Sequence, residues 1–294
     1  EQLKIDTLRT VGDICPGSYF FSNTSSIPIG FLDQEAGLGG RLIGSHFFNP
    51  PAVQKLLELI PSSATRPELT EMARDLGRRL GKTVVFSGDV AGFIGTGHFV
   101  REALYALDQA GNLRDRFGVH GAIYALNKIS QEGLIRPMGT FQLLDYIGLD
   151  VILSVLRVMA KHIDRETYRS DLIDQMSLKK LMGGQRADGS QKDGFFQYEG
   201  RRAVGIYTFD QEAYLPLDSG SLGPVDQALD PISKVGASWK GLLGDPDLDQ
   251  KLRNHFACLA ASDSPGARLA MAYLIESSRI AQELISEGIA KSSE

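Results

Sequence analysis

Arg41-Leu42-Ile43-Gly44-Ser45-His46-Phe47-Phe48 runs directly into Asn49-Pro50-Pro51. The first eight residues form an apolar run of strand length, and the Asn-Pro-Pro that follows ends it, because a residue before proline is pushed out of helical backbone. Three similar pieces flank it. Ser18-Tyr19-Phe20-Phe21-Ser22 reads as a short aromatic strand leading into the polar turn Asn23-Thr24-Ser25-Ser26. Lys55-Leu56-Leu57-Glu58-Leu59-Ile60 reads as a strand ended by Pro61, and Lys82-Thr83-Val84-Val85-Phe86-Ser87 as a fourth. Between the last two, Thr65-Arg66-Pro67-Glu68 predicts a Thr-capped helix running to Leu80 and stopping at Gly81. Leu3, Ile5, Leu8, Val11 and Ile14 are spaced for one face of a helix at the start of the chain. Strands alternating with helices predict an α/β layer over residues 1–90.

After Asp89-Val90-Ala91-Gly92 the period becomes helical. Residues 93–182 carry long amphipathic stretches broken at Gly111, Gly133 and Pro137. Residues 183–245 are rich in Gly, Asp, Ser and Pro and predict a long excursion with little regular structure, while residues 246–290 return to helix. Asp89-Val90-Ala91-Gly92 is echoed by Asp263-Ser264-Pro265-Gly266, with Glu102 and Glu276 each thirteen residues after the Asp. That spacing fits either a duplicated helical unit or chance likeness among helices.

The chain has 294 residues, 43% hydrophobic and 23% charged, with a formal net charge of −5. The length suffices for one large or two medium domains. The mild charge gives no electrostatic footprint for nucleic acid. No apolar run approaches the roughly 18 residues of a membrane span. Cys15 and Cys258 are far apart and outside any metal-ligand spacing, and the five histidines form no His-Glu-x-x-His pair, so no metal is expected. With no signal peptide and no disulfide framework, a reducing, cytoplasmic setting is the default, with an organellar matrix as the eukaryotic alternative.

His46 carries the chemical interest. A neutral imidazole can take a proton near pH 7, and a carboxylate on its far nitrogen fixes the tautomer. Glu58, twelve residues on, supplies that carboxylate if the two strands pair. The competing reading is a satisfied core histidine beside Phe47-Phe48.

Six ordered stretches together resemble the L-3-hydroxyacyl-CoA dehydrogenase family. They are Ser22-Asn23-Thr24-Ser25-Ser26, Gly44 through Pro50, Lys55 through Ile60, Leu80-Gly81-Lys82 with Asp89 through Ile94, Arg136 through Asp150, and Asp193-Gly194-Phe195-Phe196-Gln197-Tyr198. The stretch from Asp263 is similar to the second helical unit of the long, multifunctional fatty-oxidation members. The resemblance implies the C-terminal part of a Rossmann-type domain (1–90), a first helical dehydrogenase unit (91–200), an irregular linker (201–245) and the start of a second helical unit (246–294), the helical part holding an internal repeat. It implies NAD-dependent oxidation of an L-3-hydroxyacyl-CoA to the 3-ketoacyl-CoA, with His46 as general base and Glu58 as its orienter. Ser25, Asn49 and Thr96 stand at substrate-binding positions, Asn23 and Ser25 at cofactor positions. The implied partners are the acyl-CoA substrate, a second copy or an internal pseudo-dimer, and a multienzyme complex, with neither nucleic acid nor membrane.

Two departures qualify the resemblance. Thr96 stands where the family places an Asn, so one amide contact is shortened to a hydroxyl. The sequence holds no Gly-x-Gly-x-x-Gly; Gly37-Leu38-Gly39-Gly40 lies between a loop and a strand, not at a strand-to-helix turn. The chain therefore reads as truncated at its N-terminus, within the nucleotide domain. The alternative functions are a dehydrogenase of another 3-hydroxy acid and a degenerate, non-catalytic assembly module. The Phe195-Phe196 pair is expected in the core, and residues 137–150 as helix-turn-helix packing.

Overall fold

The structure, a computed structural model, describes residues 1–163, 167–230, 232 and 238–291. It divides into two compact units. The first comprises Glu1–Val100, Val155–Tyr168 and Ile280–Glu294, the second Arg101–Ser154 and Arg169–Arg279.

In chain order the first hundred residues form α1 (Gln2–Ile14), β1 (Phe20–Ser22), α2 (Ile29–Ala36), β2 (Leu42–Phe47), β3 (Leu56–Ile60), α3 (Pro67–Arg79) and β4 (Thr83–Phe86), and α4 (Gly95–Asn112) begins there. The four expected strands all form, in the order β1-β2-β3-β4. The sheet is mixed: β1 and β2 run parallel, β3 and β4 run parallel, and β2 and β3 are antiparallel. Strand β2 is buried on both faces, which explains its unbroken apolar run. Leu42 joins Ile5, Ile29, Leu32, Ile60 and Phe93 on one side, whereas Ile43 joins Leu57, Leu59, Leu69 and Ala73 on the other. Gly44 faces Ile60 across the sheet. A Cβ there would lie 2.8 Å from the Cβ of Ile60 and 3.0 Å from Cδ1 of Ile29, so only glycine lets that face close.

Several local expectations change. Helix α3 starts with Arg66 as its N-cap and Pro67 in the first turn, without a side-chain cap. The Thr65 hydroxyl instead donates to the Leu42 carbonyl at 2.8 Å, tying the helix start to β2. Helix α2 follows the polar turn, and Gly37 is its left-handed C-cap, so the glycine cluster links a helix to a strand. On α1 only Ile5 and Gly12 are buried, while Leu3 and Ile14 are 80% and 73% exposed.

The remaining elements are α5 (Arg114–Lys128), a π turn at Ile129–Gly133, α6 (Thr140–Ile147), α7 (Leu149–Ile163), α8 (Asp171–Leu178), β5 (Phe196–Glu199), β6 (Arg202–Thr208), β7 (Ala213–Pro216), α9 (Gly223–Leu229), α10 (Trp239–Leu242), α11 (Leu248–Ala260) and α12 (Pro265–Ser286). The expected linker at 201–245 is therefore wrong for most of its described length, of which residues 231 and 233–237 are not part. Strands β5, β6 and β7 form an antiparallel sheet that crosses the expected boundary at residue 200. The glycines and aspartates that suggested irregularity sit between strands. Gly200, at φ +63°, occupies the two-residue β5–β6 hairpin turn, a conformation in which a side chain is strained.

The expected boundary at 246 also moves. Leu259 of α11 and Ala267 and Ala270 of α12 pack with Ala125, Ile129, Val225 and Leu229 in the core of the second unit, and the Thr140 and Tyr273 hydroxyls bond at 2.6 Å. Residues from Ile280 on belong to the first unit, where the Ile289 carbonyl accepts from Gly88 N at 2.8 Å; residues 292–294 lie outside the described residues. The two matched Asp/Glu positions have different surroundings. Glu102 is buried and holds Arg136 through two bonds of 2.7 Å, whereas Glu276 pairs with its neighbour Arg279. Phe195 and Phe196 are core residues, as expected.

Candidate active site

Side chains alternate across a strand, so Leu42, Gly44 and His46 share one face of β2, and Glu58 and Ile60 share one face of β3. The antiparallel register puts His46 directly opposite Glu58. Residues so paired are close enough for direct contact. His46 Nδ1 lies 2.6 Å from Glu58 Oε2, with both side chains buried. The other carboxylate oxygen, Oε1, accepts from Ile94 N at 3.0 Å and Gly95 N at 2.9 Å. These amides open helix α4, and a helix N-terminus stabilises negative charge.

The turn that delivers them is tight. Gly92 has φ +89° and Phe93 φ +53°. A left-handed non-glycine residue costs roughly 1–2 kcal/mol, offset here by complete burial of the Phe93 ring. The imidazole is flanked by aromatic rings, Phe48 with its centroid at 4.6 Å and Phe93 at 6.3 Å. Gly95 makes room for Phe48: a Cβ at that position would lie 2.6 Å from Phe48 Cζ. Gly95→Ala is expected to push Phe48 off the imidazole and lower kcat/KM by roughly 10–100-fold, the size of effect that an ångström of misplacement causes, with the thermal midpoint little changed. Steady-state kinetics beside a melting curve check this.

Because β1 and β2 are parallel, the turn after Ser22 and the segment after Phe47 lie at the same end of the sheet. Asn23 Oδ1 accepts from Phe47 N at 2.8 Å and joins the two. Ser25 is half-buried in that turn, Asn49 is exposed just past β2, and Thr96 is half-buried in the first turn of α4, next to the amide that holds Glu58. The structure thus unites His46 with Glu58, and shows Asn23 in a strand-tying bond.

Three contributors have roles that no local pattern in the sequence specifies. Phe48 and Gly95 matter only through their mutual clearance. Asp89 accepts from Ile29 N at 2.5 Å and Gly30 N at 2.7 Å, capping α2 from about sixty residues away. Burial raises the pKa of its carboxyl against those two bonds. Among the described residues no group of three or more His, Cys, Asp or Glu side chains could hold a metal, and no helix is long and apolar enough to cross a membrane.

Ligands of open α/β sheets lie beyond the carboxyl ends of the strands. Asn23 and Ser25 follow the carboxyl end of β1, and His46 lies near the carboxyl end of β2. The sequence contains no glycine fingerprint for its pyrophosphate. A buried His–Glu pair near the carboxyl end of β2, on an α/β sheet followed in the chain by a largely helical unit, fits the class of dehydrogenases built on a nucleotide-binding domain.

Comparison with known proteins narrows this class. The model of the 3-hydroxyacyl-CoA dehydrogenase NAD binding domain matches residues 1–90, and that of the 3-hydroxyacyl-CoA dehydrogenase C-terminal domain matches residues 121–195. The probable 3-hydroxybutyryl-CoA dehydrogenase of Deinococcus radiodurans is 31% identical over 197 residues, which is 65% of this chain and 68% of that protein. The glyoxysomal fatty acid beta-oxidation multifunctional protein MFP-a of Brassica napus is 30% identical over 62% of this chain and 23% of its own length. The crystal structure of M. tuberculosis FadB2 superimposes with a TM-score of 0.58 at 26% identity, covering 67% of each chain. The chain belongs to the 3-hydroxyacyl-CoA dehydrogenase family, a family of NAD-dependent oxidoreductases. It spans about two thirds of the 3-hydroxybutyryl-CoA dehydrogenases it matches, 68% and 65% for the first two, and about a quarter of the multifunctional proteins.

Proposed function

We propose that this protein oxidises an L-3-hydroxyacyl-CoA to the 3-ketoacyl-CoA with NAD, His46 acting as general base and Glu58 as its positioning residue. The contact of 2.6 Å between His46 Nδ1 and Glu58 Oε2 carries the reading. A carboxylate can only accept a hydrogen bond, so the proton sits on Nδ1 and the lone pair on Nε2. Nε2 is then the atom that takes the 3-hydroxyl proton, and in reverse returns it to the alkoxide. NAD, when bound, supplies the hydride acceptor. Ser25 and Asn49 contact the substrate oxygens, Thr96 contributes a hydroxyl from α4, and Asn23 and Ser25 border the cofactor. The reading places the enzyme in the cytoplasm or an organellar matrix, alone or in a fatty-oxidation complex.

The test is spectrophotometric: NADH formation from a 3-hydroxyacyl-CoA by the full-length protein. Absence of any rate would sink the reading. Glu58→Gln separates orientation from fold. Its carbonyl can still accept from Ile94 and Gly95, while its amide now faces Nδ1 and selects the wrong tautomer. A loss of roughly 10²-fold in kcat is expected, the scale of a misoriented general base, with KM nearly unchanged.

A further inference from the structure

Lys82 lies outside the His46–Glu58 pair, yet its side chain reaches the segment that follows the base. Its Nζ donates to the Pro51 carbonyl at 2.5 Å and to the Gln54 carbonyl at 2.6 Å. It also stands 5.8 Å from the centre of the Phe47 ring. Residues 50–54 form a single helical turn, with Val53 N and Gln54 N both bonded to the Pro50 carbonyl at 3.0 Å. A lone turn has no cooperativity to hold it, and its last carbonyls need donors from elsewhere. An ammonium group with three N–H donors satisfies two of them at once and sets the third side against an aromatic face.

The surroundings make this the main tether of the segment. Residues 49–56 are exposed, and Val53 is 72% exposed, so little apolar burial fixes their course. At one end the segment leaves β2 through Phe47, Phe48 and Asn49. At the other it enters β3, where Thr83 N, the residue after Lys82, bonds the Lys55 carbonyl at 2.8 Å. The α3–β4 turn thus grips the segment twice, once through backbone and once through the lysine.

We propose that Lys82 is a positioning residue for substrate, holding the 50–54 turn so that Asn49 is presented beside His46. This rests on the function proposed above, in which Asn49 contacts substrate oxygens. The base itself sits on the sheet and is held by Glu58, so loss of Lys82 disturbs the substrate contact and leaves proton transfer in place. The signature is a rise in KM with kcat nearly kept.

Lys82→Met, Lys82→Arg, Asn49→Ala and the Lys82→Met/Asn49→Ala double variant are assayed in the full-length protein with a 3-hydroxyacyl-CoA of short chain. For Lys82→Met the KM is expected to rise about tenfold, the worth of roughly one charge-assisted hydrogen bond, with kcat within about threefold. Lys82→Arg, which can donate to both carbonyls, restores most of it. The double variant matches Asn49→Ala alone, because residues acting through one contact are not additive. An unchanged KM in Lys82→Met, a fall in kcat alone, or full additivity in the double variant overturns the inference. A wild-type protein without any rate refutes the function itself, which is a separate outcome.

Discussion

Replacing His46 by alanine is expected to lower kcat by roughly 10²–10⁴-fold, the usual contribution of a positioned general base. The fold should survive, because the imidazole makes one buried polar contact, to Glu58, and Glu58 keeps its two backbone donors, Ile94 N and Gly95 N. The small cavity left under Phe48 can fill as that ring shifts. NADH formation under saturating substrate, with circular dichroism to confirm folding, gives the result directly. A His46→Ala rate within threefold of wild type would remove the histidine from the chemistry and leave Glu58 as a structural cap of α4.

The second large effect concerns stability. Asp145, on α6, is completely buried. Its Oδ1 accepts from Phe195 N at 2.8 Å, and its Oδ2 accepts from Phe196 N at 2.8 Å and from the Tyr198 hydroxyl at 3.0 Å. One side chain therefore fastens the start of the β5–β7 sheet to the helical part of the second unit. Asp145→Ala orphans three donors, each costing about 1–3 kcal/mol when buried, so a loss of about 3–5 kcal/mol is expected. Urea unfolding of the two proteins measures it.

The same residue gives a pH signature. Burial pushes the Asp145 carboxyl up to about 7, against the bonds from Phe196, Phe195 and Tyr198 that favour its charged form. A folded-state value above the unfolded one means that stability from this group is complete below the unfolded value, near 4, and is lost as pH rises towards 7. The gap between wild type and Asp145→Ala should therefore narrow between about pH 4 and pH 7 and stay constant above. Unfolding midpoints at three pH values decide the matter; a gap that widens with pH would contradict it.

Much of the site was legible in the sequence. The strands at 42–47 and 56–60 follow from their apolar runs and the prolines after them, and His46 and Glu58 stand out as the ionisable residues within those runs. Their pairing needed the antiparallel register, which no local pattern sets, because the register depends on how both faces of the sheet are buried. Thr65 shows the limit of local rules. It has the residue type of a helix cap, yet its hydroxyl serves the β2 carbonyl instead. The β5–β7 sheet leaves little mark on composition, because Gly, Asp and Ser in its turns outweigh Val204, Ile206, Tyr207 and Thr208.

The sequence by itself determined the α/β layer, the change to helical period after Gly92, the family resemblance and the two residues, His46 and Glu58, that meet across β2 and β3. It did so because strand punctuation and residue chemistry are local properties. Tertiary structure alone decided that Ile94 and Gly95 hold Glu58, that Gly95 clears Phe48, that Lys82 grips the turn beyond Asn49, and that Asp145 anchors a sheet fifty residues away. Each of these is a contact between segments distant in the chain. Its partner is set by packing and by the need to satisfy buried polar groups, and neither is written in any short stretch of residues.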